Sequence, residues 1–410
     1  MDKIKKYNFE KDKISLFKCE TMGEIEKSVG EIFQDNEEIL PKKKNAKILV
    51  KPNFNNDLNA LTGNSTDLRV IIPVLRELKN RDYTNVTLAD GPNCGIHHVG
   101  IDVFSRLCLD QVAKMFNVKL MNFNFDEGVL VGLTTGKAEM AKTCLDADFI
   151  INLPKLKTHV ETGITVACKN LLGCFKGTEK RKMHDNLPRN IVRLNEIIKT
   201  DLIIVDGLIG MEGRGPGDGT PKKVGVVISG HNPFVVDFLC SKLMSLNYKK
   251  IPFLKIAIKK NYISLEDINY LNQVNAISKF KPGNKTILDR ILLNNFFIGI
   301  RFSKAFEKLF NKGFLPWILF KMKVKQDKYI FEDRDIKKIY EKKNLSVSDK
   351  KKIKKCLDVY CPLGMKKTGS EKCLKCMYCY QVAPDLIEFD GDLNAFEMQM
   401  DRFGEYTKKW

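Results

Sequence analysis

The chain has 410 residues, 43% hydrophobic and 29% charged, a balance that excludes wholesale disorder and supplies material for two or three domains. Its formal net charge is +19, unevenly spread: residues 51–150 carry 10 basic against 12 acidic side chains, and residues 251–350 carry 21 against 10. This pattern fits a solvated lysine-rich surface in the second half, or attraction to nucleic acid, an anionic membrane or an acidic partner, with no specific nucleic acid indicated.

The first residues, Met1-Asp2-Lys3-Ile4-Lys5-Lys6, lack the apolar core of a secretion signal. No uncharged apolar run reaches the roughly 18 residues of a membrane span. The expected location is cytoplasmic. Twelve cysteines in a long chain of this kind point to metal ligation in a reducing compartment more than to a disulfide framework.

Residues 1–45 read as an extra strand and a charged helix. From about 46 to 250, short apolar runs alternate with helical patterns. Ala46–Val50, Val86–Ala89, Phe149–Leu153, Leu202–Val205 and Val224–Ile228 read as buried strands, and residues 68–79, 103–116 and 233–246 as helices. The fold class expected is α/β, a mostly parallel sheet flanked by helices, with a small C-terminal ferredoxin-like iron–sulfur segment.

Several loops of this region carry chemistry. Lys51-Pro52-Asn53 follows the first core strand, and Pro154-Lys155-Leu156-Lys157-Thr158-His159 follows another. Ligands bind at strand C-termini of parallel sheets, so lysines placed there suit a small anionic substrate. Ser65-Thr66-Asp67 reads first as a helix N-cap. Asp206-Gly207 ends a strand, and the glycine-rich run from Glu212 to Gly219 follows. That run is no P-loop, because no Gly-Lys-Ser/Thr closes it, and no helix follows to make a dinucleotide fingerprint. His159 and His184 are the candidates for moving protons. His97-His98 is a weak metal pair, and His231 lies in a turn.

Residues 251–280 continue the α/β domain, which is set at 1–280. Residues 281–350 form a basic amphipathic connector. Its aromatic, apolar residues between 287 and 331 fit a helix packed on a partner domain, with a membrane surface as the less favoured reading. Residues 351–410 form the last domain.

There Cys373, Cys376 and Cys379 stand three apart, and Ala383-Pro384 follows. A bacterial ferredoxin run reads C-x2-C-x2-C-x3-C-P, so Ala383 stands where the fourth cysteine belongs. Cys361-Pro362 lies upstream and supplies a remote Cys-Pro of the kind that crosses over between two cluster runs. Cys361, Cys373, Cys376 and Cys379 are therefore expected to hold one 4Fe-4S cluster. Zinc is the rival metal, and Cys356 the alternative fourth ligand.

Val50-Lys51-Pro52-Asn53, Thr66-Asp67, Ala89-Asp90-Gly91, Leu153 to His159, Cys168-Lys169-Asn170-Leu171-Leu172-Gly173, His184, Val205-Asp206-Gly207, Glu212 to Pro216 and Asp237 follow one another in order. In these motifs the chain resembles the prokaryotic domain of unknown function 362 family of uncharacterised iron–sulfur centre proteins. Many members carry a ferredoxin-like segment, so the resemblance implies one here, but it supplies no reaction. The order Lys-Pro-Asn, Thr-Asp, helix is similar to the N-terminal domain of lactate racemase-like proteins as a fold-level analogy.

Two functions are therefore expected. In the first, a redox enzyme or electron-transfer component binds a small anion. Lys51, Asn53, Asp67, Lys169, Asn170, Asp206 and Glu212 bind it, and Lys155, Lys157, His159 and His184 do the chemistry, with a redox partner protein. In the second, a non-catalytic binding or assembly protein has a structural cluster or zinc, and its basic surface docks a partner or membrane.

Overall fold

β-branched runs supply the strands of a ten-stranded sheet in the computed structural model, which describes residues 5–8, 13–94, 96, 101–283, 335–392 and 394–410. The strands are β1 (Lys5–Asn8), β2 (Lys13–Lys18), β3 (Ile48–Pro52), β4 (Val86–Asp90), β5 (Lys119–Asn122), β6 (Gly128–Leu133), β7 (Gly136–Ala141), β8 (Phe149–Leu153), β9 (Lys155–His159), β10 (Gly163–Thr165), β11 (Leu202–Glu212) and β12 (Thr220–Gly230). The main path runs β1-β2-β12-β11-β8-β3-β4-β5, with β9 on β11 and β10 on β9; β6 and β7 form a separate hairpin. Pairing is parallel from β11 through β8, β3 and β4 to β5. It is antiparallel at the β12, β2, β1 edge.

Every residue of β3, β4 and β8 is buried, as expected when helices cover both faces of a parallel sheet. The period of two shows directly. Ile48 and Val50 join the apolar cluster of the helices Met22–Asp35 and Leu68–Asn80, whereas Leu49 joins that of Leu187–Ile197 and Pro233–Leu243. The five strands and the helix over 68–79 fall where the sequence pattern puts them. The helix expected over 103–116 is two, Val103–Arg106 and Leu109–Phe116, because Cys108 between them takes the left-handed conformation with φ 62°.

Two segments differ from the sequence reading. The run after Pro154, expected as a strand-exit loop, is itself strand β9. Proline has no N–H to give the ladder, so the chain steps at Pro154 from the β8 register onto the distal half of β11. Likewise Asp206 does not end a strand: β11 continues to Glu212 through a register shift between Gly207 and Ile209.

The C-terminal part consists of an antiparallel pair, β13 (Asp335–Glu341) and β14 (Ile387–Asp392), with helices Val347–Tyr360, Tyr378–Val382 and Asn394–Thr407. It is packed against the α/β domain. Cys356, Tyr360, Leu374 and Tyr378 share one apolar cluster with Ile25, Ile71 and Leu75. No helix among the described residues is long and apolar enough to cross a membrane. Most of the amphipathic connector, including residues 287–331, lies outside the described residues, as do His97 and His98.

Candidate functional site

Three lysines lie fully buried beside the C-terminal ends of the parallel strands. Burying an ammonium is costly unless it is paired and hydrogen-bonded. Lys51 Nζ pairs with Asp90 Oδ1 at 2.7 Å and donates to Pro52 O at 3.1 Å. The other Asp90 oxygen accepts the Phe54 N–H at 2.6 Å. Lys155 Nζ pairs with Asp206 Oδ2 at 2.8 Å, and that oxygen also accepts the Asp67 N–H at 2.7 Å. Burial pushes the Asp206 carboxyl up, against the pull of Lys155.

Lys157 is different. Its Nζ donates to two neutral oxygens, Asn53 Oδ1 at 2.6 Å and Asn64 O at 2.7 Å. Burial holds its pKa well below the usual lysine range, and the charges of Lys169 and Lys155 add to the effect. Lys169 is half-buried by exposure, and desolvation brings it down to about 8, with Glu161 opposing. Neither lysine has an ion-pair partner among the described residues. Asn53 ties the two loops together: its Nδ2 donates to Asn170 Oδ1 at 2.8 Å, and Asn170 in turn donates to Asn152 Oδ1 at 2.7 Å.

The histidines meet at one residue. His159 Nδ1 accepts the N–H groups of Glu161 at 3.0 Å and Thr162 at 3.2 Å. In its neutral form this ring therefore carries the proton on Nε2. His184 Nδ1 lies 3.1 Å from Glu161 Oε2 at the surface. The site thus gathers Lys157, Lys169, His159, His184, Asn53 and Asn170, with Lys51, Lys155 and Asp206 committed to ion pairs beneath. Glu212 stands apart, paired with Lys222 at 3.0 Å and accepting the Lys281 N–H at 3.0 Å.

Asp67 caps the helix Leu68–Asn80, accepting the Arg69 N–H at 2.9 Å, as its N-cap pattern requires. It also holds the Arg69 guanidinium in a fork, Nε to Oδ1 at 3.1 Å and Nη2 to Oδ2 at 2.6 Å. Burial opposes ionisation at Asp67, but Arg69 holds its carboxyl below the usual range. Arg69 Nη1 then reaches Val359 O at 2.9 Å, and its guanidinium lies 5.2 Å from the Tyr360 ring centre.

Cys361, Cys373, Cys376 and Cys379 line one recess. Backbone amides point at the sulfurs: Met365 N–H to Cys361 Sγ and Lys375 N–H to Cys373 Sγ, both at 3.4 Å. Cys376 and Cys379 take further amide bonds from Tyr378 and Tyr380. Burial pushes the Cys361, Cys376 and Cys379 thiols up. Cys356 is buried, does not line the recess, and its thiol points to Cys379 O at 3.8 Å. Among the described residues, no three His, Cys, Asp or Glu side chains are grouped to grip a metal ion.

Cys376 and Tyr378 also line a second cavity, shared with Phe54, Ser65, Thr66 and Leu68 of the α/β domain. Asn59 in the same wall donates its Nδ2 to Gln381 Oε1 at 2.7 Å. The sequence reading missed Arg69 and Glu161 as members of the site and did not place Asp90 in it. Glu161 stands two residues beyond His159 in the turn before β10, a spacing that could have drawn attention to it. The Arg69 role has no local signal.

This geometry defines an α/β protein with buried lysines along one sheet edge and a cysteine-lined recess docked beside them. Residues 48–242 match the family described as "Domain of unknown function (DUF362)". A stretch of 120 residues is 36% identical to a thylakoid-associated protein of Synechocystis sp., covering 28% of this chain and 37% of that protein. The lactate racemase apoprotein from Thermoanaerobacterium thermosaccharolyticum overlays with a TM-score of 0.35 at 14% identity, covering 56% of this chain and 59% of that one. A likeness of that size carries no argument.

Proposed function

We propose that this chain is a single-cluster iron–sulfur protein acting on a small anion, with Cys361, Cys373, Cys376 and Cys379 holding one 4Fe-4S cluster. The observation that carries the reading is the shared wall: Cys376 and Tyr378 face Phe54 and Thr66, and Thr66 and Asn53 are bonded to each other at 2.8 Å. Four thiols of the right chemistry line one recess without being drawn together as a metal-gripping group, and backbone amides directed at the sulfurs offset part of the burial that disfavours their thiolates. When bound, such a cluster supplies or accepts one electron at a time.

Lys157 and Lys169 bind the anion. With no carboxylate in ion-pair contact with either amine among the described residues, the ligand restores the charge partner that burial has removed, and proton uptake by Lys169 accompanies binding above about pH 8, where the unliganded amine is neutral. His159 offers its Nε2 proton, and Glu161 orients His184 at the rim. Asp90 and Asp206 cancel the charges of Lys51 and Lys155, so that the field at the site comes from the remaining two lysines. Cytoplasmic location suits twelve cysteines that are all free.

A structural role for the cysteine segment is the second reading. It is favoured by the burial of Cys356, Tyr360, Leu374 and Tyr378 within the α/β core. A membrane surface, in line with the name of the thylakoid-associated relative, is its less favoured partner.

Anaerobic purification followed by metal and sulfide analysis tests the reading. About four iron and four sulfide per chain are expected, with an EPR signal on reduction. Serine at any of the four cysteines removes most of the iron, while Cys356→Ser keeps it. Stoichiometric zinc without sulfide would sink the proposal. A cluster that never takes up an electron reversibly, and whose removal unfolds the C-terminal segment, selects the structural role.

A further inference from the structure

The face around the cysteine recess has a composition unlike the rest of the molecule. Residues 342–375 hold eleven lysines and three acidic residues. Lys366, Lys367 and Lys372 lie between the first and second recess cysteines and are exposed. Lys367 lines the recess itself, and Lys375 is half-buried beside Cys373. Lys354 and Lys355 are exposed on the helix Val347–Tyr360 that supplies Leu357 to the recess wall. None of these six makes an ion pair with a described residue. Along this segment the described ion pair is Lys352 with Asp349 at 3.2 Å.

An uncompensated cluster of like charge repels itself and is costly to keep at one place on a surface. Solubility does not require it at the mouth of a recess. We propose that this basic face is a docking surface for a small acidic electron-carrier protein. The inference rests on the cluster reading, because that reading explains why the charge surrounds these cysteines.

Three features select this partner. Cys361 and Cys373 are half-exposed, so a partner seated on the surrounding lysines comes close to the recess. Electrostatic attraction steers encounter and orients the pair without requiring tight binding, which suits a carrier that must leave again. A helix that lies in a lipid surface buries an apolar face as well as presenting charge. On the helix Val347–Tyr360, Val347 is the one exposed large hydrophobic residue.

The test is equilibrium binding of the full chain, prepared anaerobically, to an oxidised acidic [2Fe–2S] ferredoxin, followed by fluorescence anisotropy. Binding is expected at low salt and should weaken by about tenfold or more between roughly 30 and 300 mM salt. The variant Lys366→Glu/Lys372→Glu should weaken low-salt binding by about tenfold while leaving the thermal midpoint unchanged. The charge-matched control Lys249→Glu/Lys250→Glu, on the α/β domain, should leave binding unchanged.

Absence of low-salt binding, or equal binding by both double variants, overturns the proposal. So does lysine-dependent binding to vesicles with anionic phospholipid when ferredoxin is ignored; that outcome assigns the face to a membrane. Iron and sulfide measured on the same protein keep the two ideas apart. A full cluster with no ferredoxin binding removes the docking surface alone. Lysine-dependent binding by protein that cannot hold iron and sulfide removes the cluster reading alone.

Discussion

Lys51, Lys155 and Lys157 share residue type, depth and sheet edge, yet only the first two have carboxylate partners. Breaking a buried pair leaves an uncompensated charge, so these pairs fix geometry more than they add stability. Lys157 is held by neutral oxygens alone, which is why the proposed anion site includes it. Asp237 shows how burial can set a pH dependence at a single residue. Its carboxylate accepts the Ala167 N–H at 2.7 Å and the Cys168 N–H at 3.2 Å and also meets the Cys168 thiol. Burial pushes it up to about 7 against the pull of those bonds. Below about pH 4 the group is protonated folded or unfolded. Between about 4 and 7 only the unfolded chain ionises, so stability falls as pH rises, by up to about 1.4 kcal/mol per pH unit, and levels off above 7. Urea unfolding across this range should show the variant Asp237→Asn gaining on the native chain as pH rises. A constant difference between them would refute the assignment.

At the scale of elements, the site depends on close approaches between segments. The helix Ala167–Asn170 is one turn long and presents Lys169 and Asn170, and Asp237 from the helix Pro233–Leu243 ties down its first amides. The turn after it passes close to β4. A Cβ on Gly173 would lie 2.2 Å from Asp90 Oδ1 and 3.0 Å from Lys51 Nζ. The substitution Gly173→Ala must therefore move the turn or split the buried pair, at a cost of roughly 3–5 kcal/mol. Denaturant unfolding checks this, and a loss under about 1 kcal/mol would show that the turn relaxes freely. Residue patterning made the strands and long helices legible, because each repeats its apolar period over several residues. The β8–β9 step was not legible. Proline marks a break in either a loop or a strand, and the deciding fact is that β11 is long enough to pair with both halves.

For the whole molecule, the question is how the cysteine segment is held to the α/β domain. Arg69 is the joint: it binds Asp67 on one side and Val359 O and the Tyr360 ring on the other. Arg69→Ala should cost about 3–5 kcal/mol and make the chain between 343 and 372 the first site of limited proteolysis. Arg69→Lys should restore part of the protection, and unchanged cleavage in the alanine variant would remove Arg69 from this role. The amino-acid sequence by itself determined the α/β class, the order of the polar motifs and the spacing of the C-terminal cysteines, because periodicity and short spacings are local properties. Tertiary structure alone decided which lysines are neutralised, that His159 and His184 converge on Glu161, and that Cys376 and Tyr378 line a cavity with Phe54 and Thr66 of the α/β domain. Those outcomes rest on contacts between residues 39, 51 and 322 positions apart, such as Lys51 with Asp90, Lys155 with Asp206 and Asn59 with Gln381. Such pairings are set by sheet register and burial depth, which no local pattern of side chains encodes.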